Sequence, residues 1–421
     1  MRAISRRSRV YACACIFGVL TPALGITSNS TTEPLPFDDC LSELRGRALA
    51  DGVSAQTVEA AFPSIERNER IIELDRKQPE FVSSFQSYLD RAVSPKRIDT
   101  GRDKLAQHQA QLADVYRSYG VPPRYLVAFW GLETNYGGYF GKLPVLDSLA
   151  TLACDTRRSE FFGHEFIHAL HILDSQAIEL DAMRGSWAGA MGHTQFIPST
   201  YRAHAVDGNG DGQIDLWNSL PDVFASSANF LRIIGWQPGE RWGREVRLPA
   251  DFPWAESGLS TRKSVTEWKA LGITRADGRP LANSDLQGSI LVPAGHRGPA
   301  FIVYDNFRVI MRWNASISYA LAVGHLADRI VGGGELAQRP PEEKALRISE
   351  METIQRQLTA LGFDSGEPDG RLGPKTRAAI RAFQQQAGLP ADGHADQGLL
   401  EALRMESQSR QTDSDPAAPS L

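Results

Sequence analysis

From Phe37 to about Gly120 the apolar positions recur at helical spacing. Ser54 or Thr57 can cap a helix carrying Val58, Ala61 and Phe62. The pattern predicts one longer helix from Thr100 to Tyr119, stopped by Gly120-Val121-Pro122-Pro123. The next helix covers Arg124 to Thr134, with Leu126, Phe129, Trp130 and Glu133 on one face. Residues 243–310 change character: Ser289–Val292 and Phe301–Tyr304 read as short strands separated by Pro293 to Pro299. Helical spacing returns at Ser316–Ile330 and stops at Gly332-Gly333-Gly334. A charged linker, 335–349, then precedes a compact unit at 350–405. In that unit Ile354, Leu358 and Leu361 line one helix, Pro374 starts another through Ala379, Ile380 and Phe383, and Gly388-Leu389-Pro390 ends it. Residues 406–421 are polar and read as a disordered tail. The fold class is therefore mainly α, with a small β-containing insertion and a separate helical C-terminal domain.

Composition narrows the setting. At roughly 150 residues per domain, 421 residues suit two or three domains. The first 25 residues hold Arg2, Arg6, Arg7 and Arg9, an apolar Val10–Leu20, and small residues at Ala23-Leu24-Gly25. This reads as a signal peptide (1–25), too short to span a bilayer, followed by a flexible lead-in (26–36). A frayed helix is the competing reading. Removing the signal takes the net charge from −5 to −9, which argues against nucleic acid as a partner. Export predicts a periplasmic protein, soluble or wall-associated. The two remaining cysteines, Cys40 and Cys154, suit one disulfide; two buried thiols are the alternative.

Two segments carry candidate chemistry. Apolar surroundings and the negative end of a helix dipole would both raise the pKa of Glu133, as a general acid needs near neutral pH. A carboxylate reaching solvent at a helix end is the plainer reading. Ser186 to Gly192 is dense in small residues that let backbone approach a ligand. Gln195 and Tyr201 then offer hydrogen bonds and Phe196 a stacking face. Tight packing would need the same small residues.

Gly131-Leu132-Glu133-Thr134-Asn135-Tyr136-Gly137, Gly189-Ala190-Met191-Gly192 and Gln195-Phe196-Ile197-Pro198-Ser199 resemble the B-type lytic murein transglycosylases. Asp207–Trp217, Tyr304-Asp305-Asn306-Phe307 and Trp313-Asn314 continue the match across 37–334. The resemblance implies a lysozyme-like catalytic core in which Glu133 serves as acid and then base. It implies cleavage of the β-1,4 bond between N-acetylmuramic acid and N-acetylglucosamine, leaving 1,6-anhydromuramyl ends. It places Ser186 and Gln195 near the catalytic Glu and Asn314 on the substrate. Met191, Phe196 and Tyr304 fall in matched segments, Tyr201 lies two residues beyond one, and Phe230 and Trp313 stand where relatives often have Tyr. The partners implied are peptidoglycan glycan strands, with cell-wall synthesis or division proteins as further candidates. The unit at 350–405 resembles a three-helix peptidoglycan-binding domain through Ile354-Gln355, Leu361-Gly362-Phe363, Asp369-Gly370, Gly373-Pro374 and Phe383-Gln384.

Other classes stay open at this stage. Asp147, Asp155, Glu160 and Glu165 could supply the second carboxylate of a hydrolase. A non-catalytic wall-binding scaffold would keep the fold without turnover. Asp207, Asn209, Asp211, Gln213 and Asp215 match the first nine positions of an EF-hand loop. Asn218 replaces the closing Glu, with Asp222 as a substitute, so a structural Ca²⁺ is a candidate; no cofactor is required. His164-Glu165-Phe166-Ile167-His168 fits a zinc-protease pattern, with Asp174 as third ligand, or else an ordinary amphipathic helix.

Overall fold

A computed structural model describes residues 35–77, 84–175 and 178–414. The expected signal peptide (1–25) and nearly all of the lead-in lie outside these residues. The chain opens with α1 (Phe37–Ala50), α2 (Ala55–Ala61), α3 (Glu69–Lys77), α4 (Phe85–Ala92), α5 (Pro95–Gln107), α6 (Gln109–Tyr119) and α7 (Pro123–Thr134). A short ribbon of β1 (Leu143–Pro144) and β2 (Arg184–Gly185) brackets α8 (Val145–Ala153) and α9 (Ser159–Asp174). Next come α10 (Pro198–His204) and α11 (Leu220–Ile233).

The hub is α7. Every residue from Tyr125 to Gly131 is buried, so the helix has no solvent face until its last turn. It packs on α5, α6, α11 and α14 (Ile317–Ile330), the helix that the spacing at Ser316–Ile330 predicts. The single helix expected over 100–119 is two helices. The chain bends at His108 (φ −107°, ψ 20°), where the imidazole packs edge-on against Trp130 and Phe224. The bend lets both halves reach α7, an outcome of tertiary packing that local spacing does not encode. On the far side α8 and α9 pack together, and a Cys40–Cys154 disulfide ties α1 to the end of α8 across a Cα separation of 5.8 Å.

The β region is a five-stranded antiparallel sheet of β3 (Gly243–Arg247), β4 (Lys263–Ser264), β5 (Thr274–Arg275), β6 (Gln287–Leu291) and β7 (Ala300–Val303), ordered β4-β6-β7-β3-β5. The short helix α12 (Val265–Ala270) crosses from β4. The two-residue period of a strand sorts β7 between two cores. Phe301 and Val303 join the helical core, while Ile302 packs with Val246, Trp268 and Ile290 in the sheet's own. From β7 the chain enters α13 (Asp305–Trp313).

The C-terminal domain is α15 (Ile348–Ala360), α16 (Pro374–Gln386) and α17 (Gln397–Ser414) around Ile354, Leu358, Ile380, Phe383, Leu400 and Leu403. Two buried glutamines organise it in the same way. Gln355 accepts from Gly370 N–H and donates to Asp369, and Gln384 accepts from Gly393 N–H and donates to Asp392. Residues 406–414, expected in a disordered tail, are helical instead: α17 runs to Ser414, since Leu399, Leu400 and Leu403 anchor it to the domain core and its helical hydrogen bonds carry on beyond them. Among the described residues no helix is long and apolar enough to cross a membrane.

Candidate active site

The catalytic candidate is set by how α7 stops. Asn135 (φ 51°) and Tyr136 (φ 61°) take the left-handed conformation, and Asn135 N–H caps onto Gly131 O. The chain folds back so that the Tyr136 ring lies on the helix and its hydroxyl donates to Arg97 O at 2.7 Å. A Cβ on Gly131 would stand 2.6 Å from that ring, so glycine is required there. Glu133 is left on the last turn, half-buried and still in partial contact with solvent.

One carboxylate oxygen of Glu133 accepts two hydrogen bonds, from Trp313 Nε1 at 3.0 Å and from the Tyr319 hydroxyl. Burial pushes the carboxyl pKa up to about 7, while these two donors pull it down. Burial also holds the Tyr319 phenol well above its ordinary pKa, so it stays a donor. Trp313 is wedged among rings: Phe129 at 4.4 Å, Phe196 at 5.3 Å and Phe230 at 5.3 Å between centroids. Tyr319, on the first turn of α14 after the Ser316 cap, was missed by sequence reasoning. Its spacing marks it as core, and nothing local says that it meets Glu133.

The small-residue segment is stitched beneath α7. His193 accepts from Trp130 Nε1 at 2.8 Å through Nδ1, its carbonyl accepts from Thr134 Oγ1 at 2.8 Å, and burial pushes its pKa down to about 4. The imidazole therefore stays neutral and can accept. Ser186 Oγ accepts from Ala188 and Ala190 N–H, which fixes the turn. Met191 is fully buried and bridges Phe196 by two backbone hydrogen bonds. Gln195 (φ 51°) donates its amide to Phe140 O and Gly192 O, keeping its side-chain carbonyl uncommitted.

Three expectations change. Phe196 is 2% exposed and packs on Trp313 and Phe230, so it supports those rings and has no open face for a sugar. The Tyr201 hydroxyl donates to Ile214 O at 2.5 Å, a fold contact. Tyr304 is buried at the start of α13, where it interacts with Arg244. Phe230 stays half-buried, and Asn314, next to Trp313, is exposed.

The EF-hand-like loop is closed by its own hydrogen bonds. Asp207 accepts from Asn209, Gly210 and Gly212 N–H, and Asp211 from Gln213 N–H. Asp222, expected as a substitute ligand, instead clamps the loop ends by accepting from Gly208 and Asp215 N–H at 2.8 Å each. Asn218 donates its amide to Asp215. The remaining carboxylate and amide oxygens form a hard donor set of the kind Ca²⁺ takes, without the bidentate closing ligand that gives high affinity.

The His-Glu-x-x-His segment is dispersed. Glu165, buried, accepts Ser199 N–H at 2.9 Å and so supports the start of α10. His164 pairs with Glu160, His168 Nδ1 meets the Arg202 guanidinium at 2.8 Å, and Asp174 accepts from Ser54 and Thr57. With a fixed cation against one imidazole and the glutamate used as a cap, the set does not fit zinc.

Known proteins resemble this chain along most of its length. Residues 36–328 match the Transglycosylase SLT domain, and residues 347–403 match the Putative peptidoglycan binding domain. The membrane-bound lytic murein transglycosylase B of Escherichia coli (strain K12) is 33% identical over 244 residues, 58% of this chain and 66% of that protein. The crystal structure of SltB3 from Pseudomonas aeruginosa in complex with NAG-anhNAM-pentapeptide is 46% identical, with a TM-score of 0.85 over 88% of this chain and 100% of that one. The Escherichia coli lytic transglycosylase Slt35 in complex with calcium is 30% identical, with a TM-score of 0.61 over 69% of this chain and 92% of that one. The raised carboxyl at the end of α7, the aromatic rings packed around Trp313 and the separate C-terminal bundle thus sit in a chain that belongs to the B-type lytic murein transglycosylases carrying a C-terminal peptidoglycan-binding domain.

Proposed function

We propose that Glu133 is the sole acid/base of a reaction that cleaves the N-acetylmuramic acid to N-acetylglucosamine bond and leaves a 1,6-anhydromuramyl end. The observation that carries the proposal is the carboxyl itself. With a pKa of about 7, a large fraction is protonated near neutral pH, and both donors occupy one oxygen, Oε1. The proton then belongs on Oε2. Glu133 gives it to the bridging oxygen as the C1–O4 bond breaks. The resulting carboxylate takes the proton of the muramyl 6-hydroxyl as O6 bonds to C1, which restores the acid. Trp313 and Tyr319 stabilise the anion between the two steps.

A two-carboxylate hydrolase needs a second acid beside the first. The four sequence candidates are engaged elsewhere. Asp147 accepts from Glu66 N–H, Asp155 pairs with Arg76, Glu160 with Arg47 and His164, and Glu165 with Ser199 N–H. An internal hydroxyl nucleophile removes the need for that acid. Ser186, Gln195 and Asn314 are the polar candidates for positioning the sugars. The loop at 207–215 would hold Ca²⁺ weakly, as a brace with no part in the chemistry. The chain acts after export to the periplasm, on glycan strands. Digestion of sacculi in heavy-oxygen water tests the reaction: the account expects no label at the new muramyl ends, and label at every new end would refute it.

A further inference from the structure

Trp130 stands on α7 three residues before Glu133 and is buried, so its indole N–H has to find a partner inside the protein. It finds His193 Nδ1 at 2.8 Å. An indole nitrogen only donates, so Nδ1 must present a lone pair, and the one proton of the neutral ring belongs on Nε2. The backbone of His193 is committed in the same neighbourhood. Its carbonyl accepts from Thr134 Oγ1, on the residue after Glu133, and its N–H donates to Leu216 O at 2.9 Å. The imidazole lies edge-on against Phe140 at 4.6 Å between centroids, and a Cβ on Gly137 would stand 2.4 Å from its Cε1. Phe140 O in turn accepts the Gln195 amide at 3.2 Å. One imidazole, two residues before Gln195, thus joins the helix that carries Glu133 to the loop that leaves it.

We propose that His193 is a positioning residue of the reaction, holding Glu133 and Gln195 in fixed register through Trp130 and Phe140. The route to the acid is short. Trp130 supports the fold-back after α7: its carbonyl accepts Tyr136 N–H at 3.2 Å, and the two rings pack edge-on at 5.7 Å. An indole released from His193 no longer fixes that last turn, and Glu133 loses its alignment with Trp313 and Tyr319. The route to Gln195 runs through the Phe140 ring, which the imidazole props, to the carbonyl that holds the amide. An apolar side chain of similar volume would fill the same space but leave the Trp130 N–H unpaired. The need for an acceptor, rather than for bulk, therefore separates positioning from packing. Small displacements matter here: a 1 Å misplacement of a reacting group costs up to about a hundredfold in rate. The inference rests on Glu133 being the acid/base, as proposed above, and adds a group that acts through it.

The test is a kcat–pH profile on soluble peptidoglycan strands for full-length His193→Leu, His193→Asn and Trp130→Phe. Leu fills the space without an acceptor, Asn brings an amide oxygen near the place of Nδ1, and Phe keeps a ring at 130 without the donor. His193→Leu and Trp130→Phe should each lower kcat roughly tenfold. Each should also move the alkaline limb from about pH 7 to higher pH, because Glu133 loses hold of the donors that pull its pKa down. His193→Asn should recover most of both effects. In the double variant the second change should add little, since both cut one link. Circular dichroism measures the folded fraction; a merely structural role would shrink that fraction and leave the limb in place. An unmoved limb in the folded variants, or Asn no better than Leu, would overturn the inference. If His193→Leu does not fold, Trp130→Phe reads the same link from its other end. Water-added ends released by wild type would instead overturn the functional reading, and the limb would still report on Glu133.

Discussion

At the residue scale the account turns on how Glu133 is held. Two donors on one oxygen favour the anion and burial favours the acid, with burial the larger. Activity should therefore fall as pH rises through about 7, where the carboxyl loses its proton. Tyr319→Phe removes one anion-stabilising donor and should move that alkaline limb to higher pH, while slowing the step that passes through the carboxylate. A kcat–pH profile of the variant checks both signs; an unmoved limb would show that Tyr319 does not tune Glu133. The place of Glu133 at the end of a buried helix was legible in the spacing of Leu126, Phe129 and Trp130, which the structure buries on α7. Tyr319 was not, since its partner lies 186 residues away and only the packing of α7 on α14 joins them. The burial of Phe196 and Tyr201 was not legible for a related reason: an aromatic in a glycine-rich segment looks available for sugar, and burial is a tertiary fact.

At the element scale several helices begin where the sequence says they should. Ser54 caps α2 and Ser316 caps α14. The bend at His108 was illegible because the cause is the pair of rings, Trp130 and Phe224, waiting on other helices. The His-Glu-x-x-His helix shows how a motif match can be a cap in disguise. Glu165→Ala leaves Ser199 N–H unpaired at the start of α10 and should cost about 1–3 kcal/mol, read as a lower midpoint in denaturant. Glu165→Gln, which keeps an acceptor, should recover most of that loss, and a zinc-selective chelator should change neither activity nor midpoint.

At the scale of the whole molecule, the disulfide joins positions 114 residues apart, bringing the first helix onto the α8–α9 pair. Its removal by Cys40→Ser with Cys154→Ser should destabilise the catalytic region by about 2–5 kcal/mol. Thermal melts with and without reductant measure this, and reductant should have no effect on the double variant. The division into a helical core, a sheet insertion and a C-terminal bundle could be read from spacing and from Gly- and Pro-rich breaks. The docking of that bundle on the sheet could not, because His296, Arg297, Glu343 and Asp392 look like ordinary surface charges until the two domains meet.

The most direct test of the central claim is mass spectrometry of the fragments released from sacculi by wild type and by Glu133→Gln. Wild type should release 1,6-anhydromuramyl fragments, and Glu133→Gln should remain folded and release none. Anhydro products at undiminished yield from Glu133→Gln, or only water-added reducing ends from wild type, would contradict the account.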